Sequence, residues 1–212
     1  MFITFEGIEG SGKTTQVGPV VDFFRQKGVE CIVTREPGGT RIGEKIRAIL
    51  MDPENNGLFP MAELMLYAAD RVQHVQEQIA PALAAGKTVV CDRFHDSTVA
   101  YQGFSRKIDI AVIDRVHALI LDGLAPDLTF LLDLPAAVGL ARAWKQINNG
   151  QRSGAETRFE SEKMAFHEAV RAGYLELARR EPHRFIIIDA TAEADKVTAQ
   201  ILSALGRRCG AL

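Results

Sequence analysis

Residues Gly7 to Thr14 read G-I-E-G-S-G-K-T, which has the spacing G-x-x-x-x-G-K-T. Glycines at 7, 10 and 12 let a backbone turn tightly and approach an anion with no side chain in the way. The N–H groups that follow, at a helix start, point at phosphate oxygens. Lys13 brings a positive charge to β- and γ-phosphates, and the Thr14 hydroxyl suits the Mg²⁺ that travels with a nucleoside triphosphate. An apolar run, Phe2, Ile3 and Phe5, precedes the loop, and a helix-compatible segment follows. That context turns a loose pattern into a specific one. The expected ATP contacts are Gly7, Glu9, Gly10, Ser11, Gly12, Lys13, Thr14 and Thr15.

Other short stretches carry compatible chemistry. Asp92-Arg93 ends an apolar run, so Asp92 can hold Mg²⁺ as a Walker B acid does while Arg93 grips a phosphate with its planar fork. Arg35 stands in the same position after another apolar run. Its loop, Glu36-Pro37-Gly38-Gly39, is stiff at proline and open at the glycines. Tyr67 and Arg71 are four apart on a helical pattern and share one face. A ring beside a guanidinium can stack on a base and bond its carbonyl; out of context, Tyr67 would be core and Arg71 solvated. Ser97, Thr98, Tyr101 and Gln102 supply donors and acceptors able to read a pyrimidine edge. Arg142, Arg152 and Arg158 border a polar insertion, NNGQRSGAE at 148–156. A basic segment that closes over a γ-phosphate excludes water and stabilises transferring charge.

These residues need a scaffold that brings them to one edge. Apolar runs at 2–6, 29–34, 87–91, 127–132 and 184–188 alternate with helical patterns at 13–27, 41–51, 61–85, 109–122, 135–148, 156–180 and 193–206. The alternation predicts an α/β fold of right-handed βαβ units. The near-continuous apolar character of the runs predicts strands buried on both faces of a parallel sheet. Ligands in such sheets bind beyond the carboxyl ends of the strands, where every stretch above falls. The 212 residues suffice for one core with a small lid. A net charge of −2 gives no global attraction to nucleic acid or an anionic membrane. No apolar run reaches the roughly 18 residues of a membrane span. Cys31, Cys91 and Cys209 are too scattered for a disulfide framework or a zinc site and read as reduced thiols of a cytoplasmic protein. His95 shares no metal-ligand spacing and reads as incidental.

Together, FEGIEGSGKTTQ, TREPGGT, LYAADR and DRFHDSTVAYQG resemble, in matching order, the thymidylate kinase family, in its bacterial form with basic residues in the lid. The resemblance runs from residue 1 to about 180. It implies a P-loop NTPase three-layer fold: a central five-stranded parallel sheet flanked by helices, as a single kinase domain over 1–212 with a lid at about 142–160. It implies ATP-dependent phosphorylation of dTMP to dTDP, Mg²⁺ and a homodimer. Carried onto this chain, Lys13, Glu9, Arg93 and Arg158 become the catalytic set, and Thr14 and Asp92 the metal side. Arg142 joins the ATP contacts. Arg35 and Arg93 hold the dTMP phosphate, Tyr67 packs on thymine, Arg71 and Gln102 read the base edge with Ser97 and Thr98 nearby, and Pro37 borders the substrate. Tyr101 crowds the sugar 2′ position. No arginine stands inside the P-loop, so the lid supplies that charge, with Arg152 and Arg158 both open for the role. Two rivals remain: a kinase for another nucleoside monophosphate, and a P-loop switch protein, whose Asp-x-x-Gly and Asn-Lys-x-Asp elements do not occur here.

Overall fold

A computed structural model describes residues 1–151 and 155–209. The five apolar runs form parallel strands: β1 (Phe2–Glu6), β2 (Cys31–Arg35), β3 (Thr88–Asp92), β4 (Leu128–Asp133) and β5 (Phe185–Asp189), in the order β2-β3-β1-β4-β5. Registers such as Ile3 opposite Val90 and Leu128 align the ends of the three central strands. β2 to β5 each reach one residue further toward the carboxyl end than the apolar run alone suggests. Arg35, Asp92 and Asp133 are therefore final strand residues rather than loop residues.

The expectation of strands buried on both faces is met by β1, β3 and β4 and not by the two edges. Val33 of β2 and Ile187 of β5 are 55% and 53% exposed. An edge strand has one neighbour and less cover, so apolar composition alone does not bury it.

Helices α1 (Lys13–Gln26) and α2 (Arg41–Met51) follow the first two strands; α2 starts where Thr40 Oγ1 caps Gly43 N at 2.9 Å. The helix expected over 61–85 is α3 (Pro60–His74), a wide π turn at Val75–Ile79, and α4 (Ala80–Ala84). Gly28 and Gly86, at φ 74° and 75°, end α1 and α4 before the next strands. After β3 come a short helix α5 (His95–Thr98) and a π segment, Val99–Ser105, then α6 (Ile110–Leu121). α7 (Ala136–Asn148), α8 (Met164–Arg180) and α9 (Ala194–Cys209) complete the chain.

One expected helix, 156–180, begins only at Met164. Turns occupy Arg158–Ser161, with Ser161 N bonding Thr157 O at 3.0 Å. Helical continuity is exchanged there for tertiary partners: Arg158 N bonds Met51 O at 3.3 Å. Two apolar clusters, one built around Ile3, Phe5 and Phe130 and one around Phe2, Val89 and Phe94, hold the helices on the sheet. Among the described residues no helix is long and apolar enough to cross a membrane.

Candidate active site

The loop after β1 is pressed against α7. A Cβ on Gly10 (φ 69°) would lie 2.0 Å from Gly139 O, and one on Gly139 would lie 2.5 Å from Glu9 O. Both glycines are needed for that approach. The loop winds around Lys13, whose Nζ donates to Gly7 O and Ile8 O at 3.0 Å and to Ser11 Oγ at 3.3 Å. Burial, helped by the Arg93 charge, pulls the Lys13 ammonium down to about 8. At the mouth, Thr14 Oγ1 donates to Asp92 Oδ2 at 2.8 Å, joining the start of α1 to the end of β3. A hydroxyl and a carboxylate oxygen so close are hard ligands, suited to a small cation that takes its remaining ligands from water and phosphate. The donor set fits Mg²⁺.

Beside this loop lies a cavity. Glu9, Pro37, Tyr67, Arg71, Arg93, Ser97, Thr98, Tyr101 and Gln102 line it. All the substrate residues expected from sequence thus meet there, except Arg35, which is exposed at the end of β2.

Arg93 adopts a left-handed backbone (φ 69°). Its guanidinium donates to Tyr174 Oη at 3.0 Å and to Ser97 Oγ and Glu9 Oε1 at 3.3 Å, and lies 5.1 Å from the Tyr101 ring centre. Behind it sits Glu6, fully buried. Its carboxyl accepts from Phe94 N (2.8 Å), Ser97 Oγ (2.7 Å) and Tyr174 Oη (2.8 Å). Burial, and then the nearby Asp96, push the Glu6 carboxyl up to about 7. Glu9 behaves oppositely. Burial works against its charge, but the His167 bond (3.2 Å), the Arg93 charge and the Tyr101 hydroxyl outweigh burial and hold it well below the usual carboxylate range.

Arg71 is almost wholly buried, with three of its N–H groups held in place: Nε donates to Glu36 Oε2 (2.8 Å), Nη1 to Thr98 Oγ1 (3.0 Å) and Nη2 to Phe94 O (3.2 Å). Glu36 also takes His74 Nδ1 at 2.9 Å. Arg47, from α2, donates to Pro37 O at 3.0 Å and bridges to Glu156 at 2.7 Å.

Of the lid residues, Arg158 is buried against α2 and α3, donating to Leu50 O at 2.9 Å and to the Glu63 carboxylate. Its neighbours Phe159 and Glu160 reach the cavity wall. Arg152 lies outside the described residues. Arg142 donates to Ala190 O (2.7 Å) and Thr191 O (3.1 Å), tying α7 to the turn after β5.

Glu6, Glu36, Glu63, His167 and Tyr174 shape this site and escaped the sequence reading. Glu6 and Glu36 stood in plain view, inside FEG and REPGG. An acid closing an apolar strand, such as Glu6 at the end of β1, is a signal of buried pairing that could have been followed. Glu63, His167 and Tyr174 belong to ordinary amphipathic helices and carried no such signal.

Comparison with known proteins agrees with this geometry. The family model described as thymidylate kinase matches residues 5–201. A thymidylate kinase of Desulfosudis oleivorans is 56% identical over 98% of this chain and 97% of its own length. One from Geobacter sulfurreducens is 53% identical over 98% of this chain and 99% of its own. Among solved structures, thymidylate kinase from Ehrlichia chaffeensis superposes with a TM-score of 0.76 at 35% identity, covering 97% of this chain and 98% of the other. With the P-loop, the Arg93 cavity and these relatives in agreement, the chain belongs to the thymidylate kinase family, P-loop enzymes that phosphorylate dTMP to dTDP with ATP.

Proposed function

We propose that this chain carries the γ-phosphoryl of ATP to dTMP from one kinase domain spanning 1–212, with its lid at about 142–160. The observation that carries the reading is the adjacency of the Lys13 loop and the Thr14–Asp92 pair to a cavity walled by Arg93. ATP lies along Gly7–Thr15 with its base end toward Arg142. Thr14 and Asp92 would hold Mg²⁺, which neutralises charge on the phosphates when bound. dTMP occupies the cavity, with its phosphate on Arg93 and its base against Tyr67, Arg71 and Gln102; Arg35, outside the cavity lining, would have to swing in from the end of β2 to share the phosphate. Pro37, Ser97 and Thr98 border it, and Tyr101 and Glu9 flank the sugar.

The attacking phosphate oxygen is already anionic, so no general base is required. The residues position two anions and offset their charge. Lys13 and Arg93 supply the positive charge for this. Of the two lid arginines, Arg158 is paired with Glu63, and Arg152 is the other candidate for charge on the transferred group. A large fall in kcat for Arg158→Ala assigns the role to Arg158, and near-normal turnover assigns it to Arg152.

A homodimer fits the exposed apolar face of α2 and α3, where Ile42, Ile49, Met61, Met65 and Val72 stand out beside Phe59, 80% exposed. The unpaired Cys31 and Cys91 suit the cytoplasm.

Titration of dTMP into the protein tests the cavity. Arg93→Ala should weaken dTMP binding at least tenfold and leave ATP affinity within a few fold. Unchanged dTMP binding would remove the cavity from the reading.

A further inference from the structure

Glu63 is fully buried in α3, and three groups converge on its carboxylate. Gln102 Nε2 donates to Oε1 at 2.8 Å. Arg106 Nε donates to Oε1 at 3.3 Å, and Arg158 donates to Oε2. Gln102 lines the cavity and Glu63 does not. A carboxylate between two guanidinium groups offers acceptors only, so the amide must turn its NH₂ end toward Glu63. The oxygen is then the polar atom that Gln102 offers to the cavity.

We propose that Glu63 is a specificity-determining positioning residue: it locks the Gln102 amide so that the cavity presents an acceptor, and thereby selects a pyrimidine with N3–H over one with a bare N3. The inference rests on the base lying against Gln102 as proposed above.

The chemistry follows from the two pyrimidine edges. Thymine and uracil carry a donor at N3 beside an acceptor at O4. Cytosine carries an acceptor at N3 beside a donor at N4. With Gln102 Oε1 fixed toward the base, cytosine would set acceptor against acceptor. A free glutamine could rotate its amide and accept either edge, because its oxygen and NH₂ are close to the same size. Glu63 removes that freedom. Leaving a buried polar group facing its like is what gives hydrogen-bonding sites their strongest discrimination.

The companion groups reinforce the choice. Arg71, which also lines the cavity, has donors only, so it matches O4 and rejects an amino group. Its position is fixed independently, by Glu36 and Thr98. Glu63 does not touch Arg71, so the two halves of the recognition can be separated by mutation.

The experiment compares kcat/KM for dTMP with that for 5-methyl-dCMP, which differs from dTMP only at the N3 and C4 edge. The wild type should prefer dTMP at least a hundredfold. Glu63→Gln, whose new amide can donate as well as accept, should cut that preference at least tenfold. The ratio cancels any effect on Arg158 and the lid, which both acceptors share. Arg106→Ala removes a charge from Glu63 while leaving the Gln102 bond, and should keep the wild-type ratio. If Glu63→Gln does not fold, Glu63→Asp keeps the charge for both arginines and withdraws the acceptor from Gln102 by one methylene. It should lower the ratio in the same way. A folded Glu63 variant with the full wild-type preference overturns the inference and leaves the cavity assignment standing. A wild type that accepts both nucleotides equally overturns the base pocket itself.

Discussion

Replacing Glu6 with glutamine tests the buried network behind Arg93 through its response to pH. Glu6 is fully buried and moves from its ordinary 4.5 to about 7, by burial first and by Asp96 second. Between those two values the folded chain holds a proton there that the unfolded chain has released. The contribution of Glu6 to stability is therefore complete below about pH 4.5 and is lost as pH rises to about 7. At about 1.4 kcal/mol per tenfold change in proton affinity, the whole loss is about 3 kcal/mol. Roughly 2.5 kcal/mol of it falls between pH 5 and pH 8. Glu6→Gln keeps the shape and an acceptor for Phe94 N but has no proton to lose. Asp70, raised to about 6, and the depressed His95, His117 and Glu9 titrate in both proteins and cancel in the difference. Urea unfolding followed by circular dichroism at several pH values between 5 and 8 should show the variant gaining about 2.5 kcal/mol on the wild type as pH rises. A difference that stays flat, or runs the other way, would refute the placement of a neutral-pH carboxyl behind Arg93.

Three further outcomes follow from the geometry. Gly10→Ala puts a Cβ 2.0 Å from Gly139 O on a left-handed backbone, so it should cost at least about 2 kcal/mol in thermal unfolding and raise the KM for ATP. Asp92→Asn removes the carboxylate beside Thr14; the Mg²⁺ concentration needed for half-maximal turnover should rise tenfold or more, and an unchanged requirement would take Asp92 off the metal side. Phe59→Asp with Met65→Asp places charge on the exposed α2/α3 face; light scattering should show the wild type as a dimer and this variant as a monomer, whereas a monomeric wild type would dismiss the interface.

The sheet and the phosphate loop were legible in the chain because both rest on local physics. Short apolar runs report strands, and glycine spacing reports backbone conformation. What stayed hidden depends on distant partners. Arg71 is assigned to the base pocket only through its wider context, since its helix alone would leave it solvated; Glu36 and Thr98 enclose it from two other segments. Arg158 reads as a basic lid residue; its pairing with Glu63 spans ninety-five positions. The π segment at Val99–Ser105 has no sequence signature, though it turns both Tyr101 and Gln102 toward the cavity. The helix expected from 156 failed because propensity was outweighed by the backbone bond from Arg158 to Met51.

ADP formation from ATP and Mg²⁺, measured with dTMP, dUMP, UMP, CMP and AMP offered one at a time, tests the central claim most directly. The account predicts turnover that depends on an acceptor and is strongest with dTMP. Preference for another monophosphate would contradict the base pocket, and ATP turnover indifferent to any acceptor would contradict phosphoryl transfer itself.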